Sequence, residues 1–259
     1  MSLKGKSPAD TYKDLLYVDN DNNGLNGTSR DVKSGNGVQS VAKISDRHFN
    51  LQPAENNTTL FTCKNKGGSD LLSVDSTNSY VKSNGTHVNT QYATFSVGAS
   101  DSSGLSDDTH HSLPFQSGAY GSHPPTFGTG TDPATSFTTA EGNGTRASDL
   151  VPCLWYVTDN ISIDSIKAIE GADTATGDTT RMHCYSFDFT SGSTSALTNG
   201  TLLAHNSDTS NSGSEQAYLS NFTIDSASVS SGKVIMAFFK SDSINSDYSV
   251  QMIVKYHIT

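Results

Sequence analysis

Three histidines, His110, His111 and His123, lie close together beside Pro114, Pro124 and Pro125. Imidazole suits zinc, nickel or iron, but the spacing fits no zinc template, and a structural zinc site asks for four ligands in a closed shell. They are therefore expected to be solvated loop histidines. A cluster meeting its own copies on a threefold axis is the one arrangement in which they would hold a metal. Asp19, Asp21, Asn23 and Gly24 match the opening of a calcium loop, D-x-D-x-N-G. The twelfth position, where a bidentate Glu should complete the shell, is Arg30, so the stretch reads as a turn.

Nucleophilic catalysis needs Ser or Cys beside a base and an orienting acid. Serines abound, yet no G-x-S-x-G occurs. Cys63, Cys153 and Cys184 fall in strand-like runs, where they are expected to be buried, free and inert. Glycan cleavage uses paired carboxylates, and the glutamates Glu55, Glu141, Glu170 and Glu215 all fall in apparent turns. Trp155, Tyr156, Tyr218 and Tyr256 could stack on sugars, but core packing on apolar strand faces accounts for them. No catalytic, cofactor-binding or metal-ligating residue is assigned, no cofactor is expected, and the chain is not expected to be an enzyme.

The composition fits that reading. Of 259 residues only 33 % are apolar and 16 % charged, and much of the remainder is Ser, Thr, Asn, Asp and Gly, which form turns and make poor helices. A net charge of −10 with its Lys and Arg scattered argues against a nucleic-acid partner and against anionic membrane surfaces. No apolar run approaches the roughly 20 residues of a membrane span, and Met1 to Lys6 lacks the apolar core of a signal peptide. A soluble protein made in a reducing cytoplasm is expected. N-x-S/T triplets such as Asn26-Gly27-Thr28 and Asn199-Gly200-Thr201 are attributed to chance.

These residues must be positioned by strands. From Tyr248 to Ile258 apolar side chains alternate with Ser249, Gln251, Lys255 and His257, with only Ile253 out of place, the pattern of a half-buried strand. Val234 to Phe239 is apolar on both faces, as in a central strand covered above and below, and is expected to be its partner. Val151 to Val157, Ile161 to Ile169 with a bulge after Ile163, Arg181 to Phe189, Thr201 to Ala204 and Tyr218 to Ile224 complete a set of short strands between polar turns.

Upstream, Leu60 to Cys63, Leu71 to Val74 and Ala93 to Val97 read as hairpin strands with turns at Lys66-Gly67-Gly68 and Ser83-Asn84-Gly85. Before them, a short capped helix from Ser7 is expected to run into a strand near Val18. Turns at Asp19 to Gly24 and at Ser34 to Gly37 follow, then a strand from Val38 to Ile44. The predicted organisation is all-β: an extended arm over 1–50, a small β-module over 51–98, a long loop region over 99–148 as the partner-facing part, and an antiparallel β-sandwich over 149–259, jelly-roll-like in the preferred version. The arm has too little apolar surface to fold unaided.

The run Lys4-Gly5-Lys6-Ser7-Pro8-Ala9-Asp10-Thr11-Tyr12-Lys13-Asp14-Leu15-Leu16, followed by Asp31-Val32-Lys33-Ser34-Gly35-Asn36-Gly37, resembles the amino-terminal segment of fibre-like structural proteins of tailed, particularly marine, bacteriophages. Lys64 to Asn78, Val88 to Tyr92 and Lys240 to Tyr248 leading to Val254-Lys255-Tyr256-His257-Ile258 are similar too, about half of the chain together. The resemblance implies a homotrimeric virion protein of tail-fibre, head-fibre or decoration type. Its arm would bind other capsid or tail proteins and its outer domain a host-surface glycan. Capsid decoration and a glycan-degrading tailspike are the alternatives it carries.

Overall fold

The computed structural model describes residues 15–21, 23–99, 106–116, 123–172, 177–242 and 248–259. Expectations for the helix begun at Ser7, for Tyr120, and for parts of the turns after Ala172 and Ser241 lie outside them. Strand accounts for 52 % and helix for 3 %, the outcome expected of a chain poor in helix formers. The chain divides into two compact units, Met1–Val88 and Asn89–Thr259.

The first unit holds two four-stranded antiparallel sheets. Strands β1 (Leu16–Val18), β2 (Arg30–Ser34), β3 (Gln39–Ile44) and β4 (Phe49–Leu51) pair in order. Residues 16–51 are thus a meander and not an extended arm, because the polar turns at Asp19 to Gly24 and at Ser34 to Gly37 reverse the chain. The second sheet is β5 (Phe61–Lys64), β6 (Asp70–Asp75), β7 (Tyr80–Ser83) and β8 (Thr86–His87). Asn84 and Gly85 join the last two strands with φ of 51° and 81°. These are the left-handed values of a type I′ hairpin turn, which Asn-Gly adopts at little cost.

The second unit is one curled, half-barrel antiparallel sheet. It starts with β9 (Thr90–Ala99), β10 (His111–Ser112) and β11 (Trp155–Tyr156), and continues through β12 (Ile161–Ala172), β13 (Thr179–Phe189), β14 (Leu197–Asn206) and β15 (Thr209–Ser210). Last come β16 (Gln216–Ile224), β17 (Ser228–Val229), β18 (Lys233–Ser241) and β19 (Tyr248–Ile258). The path runs β10-β18-β13-β14-β16-β12-β19-β9. Beyond β10, the Ser96 amide donates to Pro114 and the Gln116 amide to Thr94, and Phe95 bridges to Phe115. The two ends of the sheet therefore meet. Ala93–Val97, grouped by sequence with the small module, lies in this sheet along β19.

The alternation in β19 decides its faces. Tyr248, Val250, Met252 and Val254 are buried, whereas Ser249 and Gln251 are exposed. Its neighbours are β12 and β9, not β18. The expected hairpin does not form because the two strands have different needs. Strand β19 has one apolar face, and β18, apolar on both, sits between β13 and β10 in the opposite wall. The bulge in β12 falls between Ile163 and Ser165.

Two cores result. One fills the curl with Phe95, Ile163, Ile166, Met182, Cys184, Ile235, Ala237, Phe239, Met252 and Val254. The other lies on the opposite face of β13 and β18, where Tyr185, Phe187, Val234, Met236 and Phe238 pack under Phe127, Phe137, Leu150 and Cys153. Described parts of the 99–148 stretch are thus a packed cover. Val151 to Val157 is not one strand: a helical turn α1 (Ala147–Leu150) passes into a 3-10 turn at Val151–Cys153, with Pro152 where its missing N–H costs nothing.

Candidate functional site

Along the outer side of β13, where it meets β14, β18 and the covering segment, two adjoining hollows of about 260 and 420 Å³ share Thr131, Arg181 and Asp208. Arg181 lies opposite Lys240 in register, and its guanidinium holds Asp208 through two bonds of 2.5 and 2.8 Å. This fork-to-carboxylate pairing fixes both side chains. Lys240 donates to the Gly130 carbonyl at 3.1 Å and faces Asp108 at 3.5 Å. His183 lies opposite His205. Its Nε2 is 3.2 Å from Asp132, and His205 Nδ1 is 2.8 Å from Asp225.

Burial, reinforced by the neighbouring His110 and Arg181, pushes the His183 imidazole down to about 4 although Asp132 opposes the shift. The Asp132–His183 pair has the look of a base held by an orienting acid, but His183 Nδ1 is buried with no partner instead of facing a hydroxyl. The wall as a whole, with Asp108, Asp132, Asp208 and Asp242 against Arg181 and Lys240, offers many fixed donors and acceptors and an excess of negative charge. It suits a neutral polyhydroxylated ligand better than an anion.

The histidines singled out by sequence are not solvated. His110 and His111 are 0 % and 2 % exposed, because β10 pairs with β18 beneath the covering segment. His110 Nε2 meets the Gly130 carbonyl at 3.1 Å, and its ring stands edge-on to His183 at 5.1 Å. His111 Nε2 accepts from the Ser106 amide at 2.9 Å, and burial pushes its imidazole down to about 4. Each ring therefore has one nitrogen committed to backbone. His123 is half-buried.

Glu170 is also not where its sequence context placed it. It lies within β12 and is fully buried, with Thr180 Oγ1 donating to its carboxylate at 2.8 and 2.7 Å. Burial raises its pKa, against the hydrogen bonds from Thr180 and Asn211. Nearby, Tyr248 Oη donates to Asp178 at 3.1 Å, and Ser241 Oγ to Tyr248 Oη at 3.2 Å. Glu55, Glu141 and Glu215 are exposed outside the strands.

Cys63 is exposed in β5, contrary to expectation, on a strand with only Thr62 half-buried. Cys153 and Cys184 are buried and free, with burial pushing their thiols up to about 11 and about 12. Trp155 is buried between Phe115, stacked at 5.7 Å, and Tyr256 at 4.9 Å. Tyr156 instead points to solvent, 54 % exposed. Asp19, the first position of the calcium-like turn, is ion-paired with Lys33 at 2.6 Å.

The first unit carries a different kind of surface. Among its described residues the only buried ones are Asn20, Ser45 and Asp75, and no apolar side chain is buried. Leu15, Leu16, Tyr17, Leu25, Val38, Val41, Phe49, Phe61, Leu71 and Val88 are all exposed. Sequence reasoning missed the groove, whose residues come from five separated segments and share no motif.

No protein-family model matches the chain, and no curated protein matches it. Among solved structures it is similar to the Eiger TNF from S. frugiperda, with 8 % identity and a TM-score of 0.30 over 66 % of this chain and 94 % of that one.

Proposed function

We propose that the protein is a fibre-type structural component of a tailed-bacteriophage virion. In this reading the first unit winds copies of the chain into a homotrimer and docks the assembly to other capsid or tail proteins. The second unit, a jelly-roll-like sandwich, faces outward and offers the groove around Arg181 and His183 to a host-surface glycan. Its work is binding, not catalysis, and its place is the extracellular particle.

One observation carries this reading: the first unit buries none of its described apolar side chains, while the second builds two cores of its own. Small sheets without a covering layer are not stable alone in water. In the proposed assembly, identical chains in a closed ring supply the missing layer to each member. The amino-terminal resemblance to phage fibre proteins points to the same assembly.

The test is the solution mass of the full chain, expected at three times 27.4 kDa, together with binding to host cells. A single-chain mass at micromolar concentration would refute the trimer. Binding to bare capsids without binding to cells would move the protein to the decoration class. Release of reducing ends from host envelope polysaccharide would make it an enzyme.

A further inference from the structure

Where Ile161 pairs with Ile258, the second unit holds a smaller hollow of about 110 Å³ that shares no residue with the groove around Arg181. Val157, Ile161 and Ile258 give it an aliphatic wall, and Trp155, Asp159 and Gln91 line it beside them. The turn that carries Asp159 is pinned on both sides. Val157 donates to the Lys233 carbonyl at 2.9 Å and accepts from the Gly232 amide at 2.8 Å. Asn160 accepts from the Thr259 amide on its carbonyl and from the Ser231 amide on Oδ1, each at 2.9 Å. Thr158 Oγ1 donates to Asp159 Oδ2 at 3.0 Å, and Asp159 Oδ1 has no partner among the described residues. Asp159 and Gln91 are both exposed, so the hollow is open on their side.

Trp155 supplies the second observation. It is 8 % exposed, held between Phe115 and Tyr256, yet its indole N–H has no hydrogen-bond partner among the described residues. That nitrogen is not among the buried atoms sealed from water either. An indole N–H is a donor only, and a tryptophan this deeply buried ordinarily finds it an acceptor. Tyr256 Oη donates to Gln91 Oε1 at 3.0 Å, which leaves the Gln91 amide nitrogen as a further donor. The hollow thus presents donors, one fixed carboxylate acceptor and an aliphatic wall.

We propose that this hollow binds the acetamido group of an N-acetylated amino sugar. The group carries the complement of each feature: a carbonyl oxygen for the Trp155 N–H, an amide N–H for the Asp159 carboxylate, and a methyl for Val157, Ile161 and Ile258. Its few heavy atoms fit within 110 Å³. The sugar ring then lies at the mouth, where the Gln91 amide meets its hydroxyls. Asp159 turns away acidic ligands, and a plain hexose has no methyl to fill the aliphatic side. The site depends on neither the groove nor the trimer, because every residue in it belongs to one second unit.

Trp155 is the single tryptophan of the chain, so its fluorescence reads this site alone. Titrating the full chain with N-acetylglucosamine is expected to change the emission saturably, with a dissociation constant of roughly millimolar order, as for one small contact. Glucose and glucosamine, which lack the acetyl group, should leave the emission unchanged. Asp159→Ala is expected to weaken the response by about tenfold or more through loss of a charged acceptor, and Asp159→Asn, which keeps an acceptor oxygen, by less. The Asp159 side chain is exposed and bonded only to Thr158 among the described residues, so both variants are expected to fold as the parent does. No response to N-acetylglucosamine, an equal response to glucose, or a titration indifferent to Asp159→Ala overturns the site. An equal response to N-acetyl-lysine overturns the sugar as its ligand. Host-cell binding that persists through any of these failures leaves the groove reading standing.

Discussion

His111 and His183 are imidazoles held without charge, each with a folded pKa near 4 set chiefly by burial. In the unfolded chain a histidine takes its proton near pH 6.5, so between 6.5 and 4 the unfolded state binds more protons than the native one. Stability therefore falls as pH drops through that window, by up to about 3 kcal/mol for each group. The charged neighbours of His183 partly cancel, with Asp132 favouring its protonation and Arg181 and His110 opposing it. The urea midpoint should fall steadily from pH 6.5 to 4.5, and His111→Asn should flatten part of the slope. A midpoint constant over that range would mean these rings are open to water. Glu170 acts in the opposite sense. Its raised pKa means that the unfolded chain loses the proton first as pH rises above the ordinary Glu value, so stability declines with rising pH. Glu170→Gln should raise the melting temperature at pH 7 by about 2–4 °C, the equivalent of about 1 kcal/mol, and leave it unchanged at pH 4.

At the level of elements, the cover over β13 and β18 depends on one close approach. The Gly200 amide donates to the Thr135 carbonyl at 2.8 Å. A Cβ added at Gly200 would stand 2.7 Å from Phe187 Cε1 and 2.8 Å from Thr135 Cα. Gly200→Ala must therefore push the cover outward and is expected to cost about 1–3 kcal/mol, as overpacking does. It should also expose the cover to protease. A variant that melts and digests like the parent would show that the cover is loosely laid. Its counterpart, Phe127→Ala, removes a ring stacked on Phe137 at 4.9 Å and leaning on Phe238 at 4.6 Å, at a cost of about 3–5 kcal/mol in the same melt. Nothing in the sequence announced this layer. Phe127 and Phe137 stand alone among Gly, Ser and Thr, and a burial built from single rings has no period to read. Strands β18, β19 and the bulge of β12 were legible because period two, or its slip, records which face is covered. Their partners were not, since apolarity on both faces says that a strand is central without naming its neighbours. The groove was illegible for a related reason: Asp132, Arg181, Asp208 and Lys240 meet only because β13 joins β14 on one side and β18 on the other.

For the whole molecule the contrast between the units sets what assembly must do. Folding cooperativity needs apolar area removed from water to offset chain entropy, and the second unit finds that area within one chain. The first unit exposes Leu16, Phe49 and Val38, and none of its described apolar residues is buried; under the proposed homotrimer its order is expected to come from the assembly and to vary with concentration as any subunit equilibrium does. Hydrogen exchange on dilution series should separate the two. Amides of β2 and β3 are expected to lose protection as the protein concentration falls below the dissociation constant of the assembly, while those of β13 and β18, bonded inside a packed wall, keep theirs at every concentration. Phe49→Asp should shift the first loss to higher concentration and leave the second set untouched. If β2 and β3 remain as protected as β18 however dilute the protein becomes, the first unit holds itself together, and nothing in its folding then requires other copies.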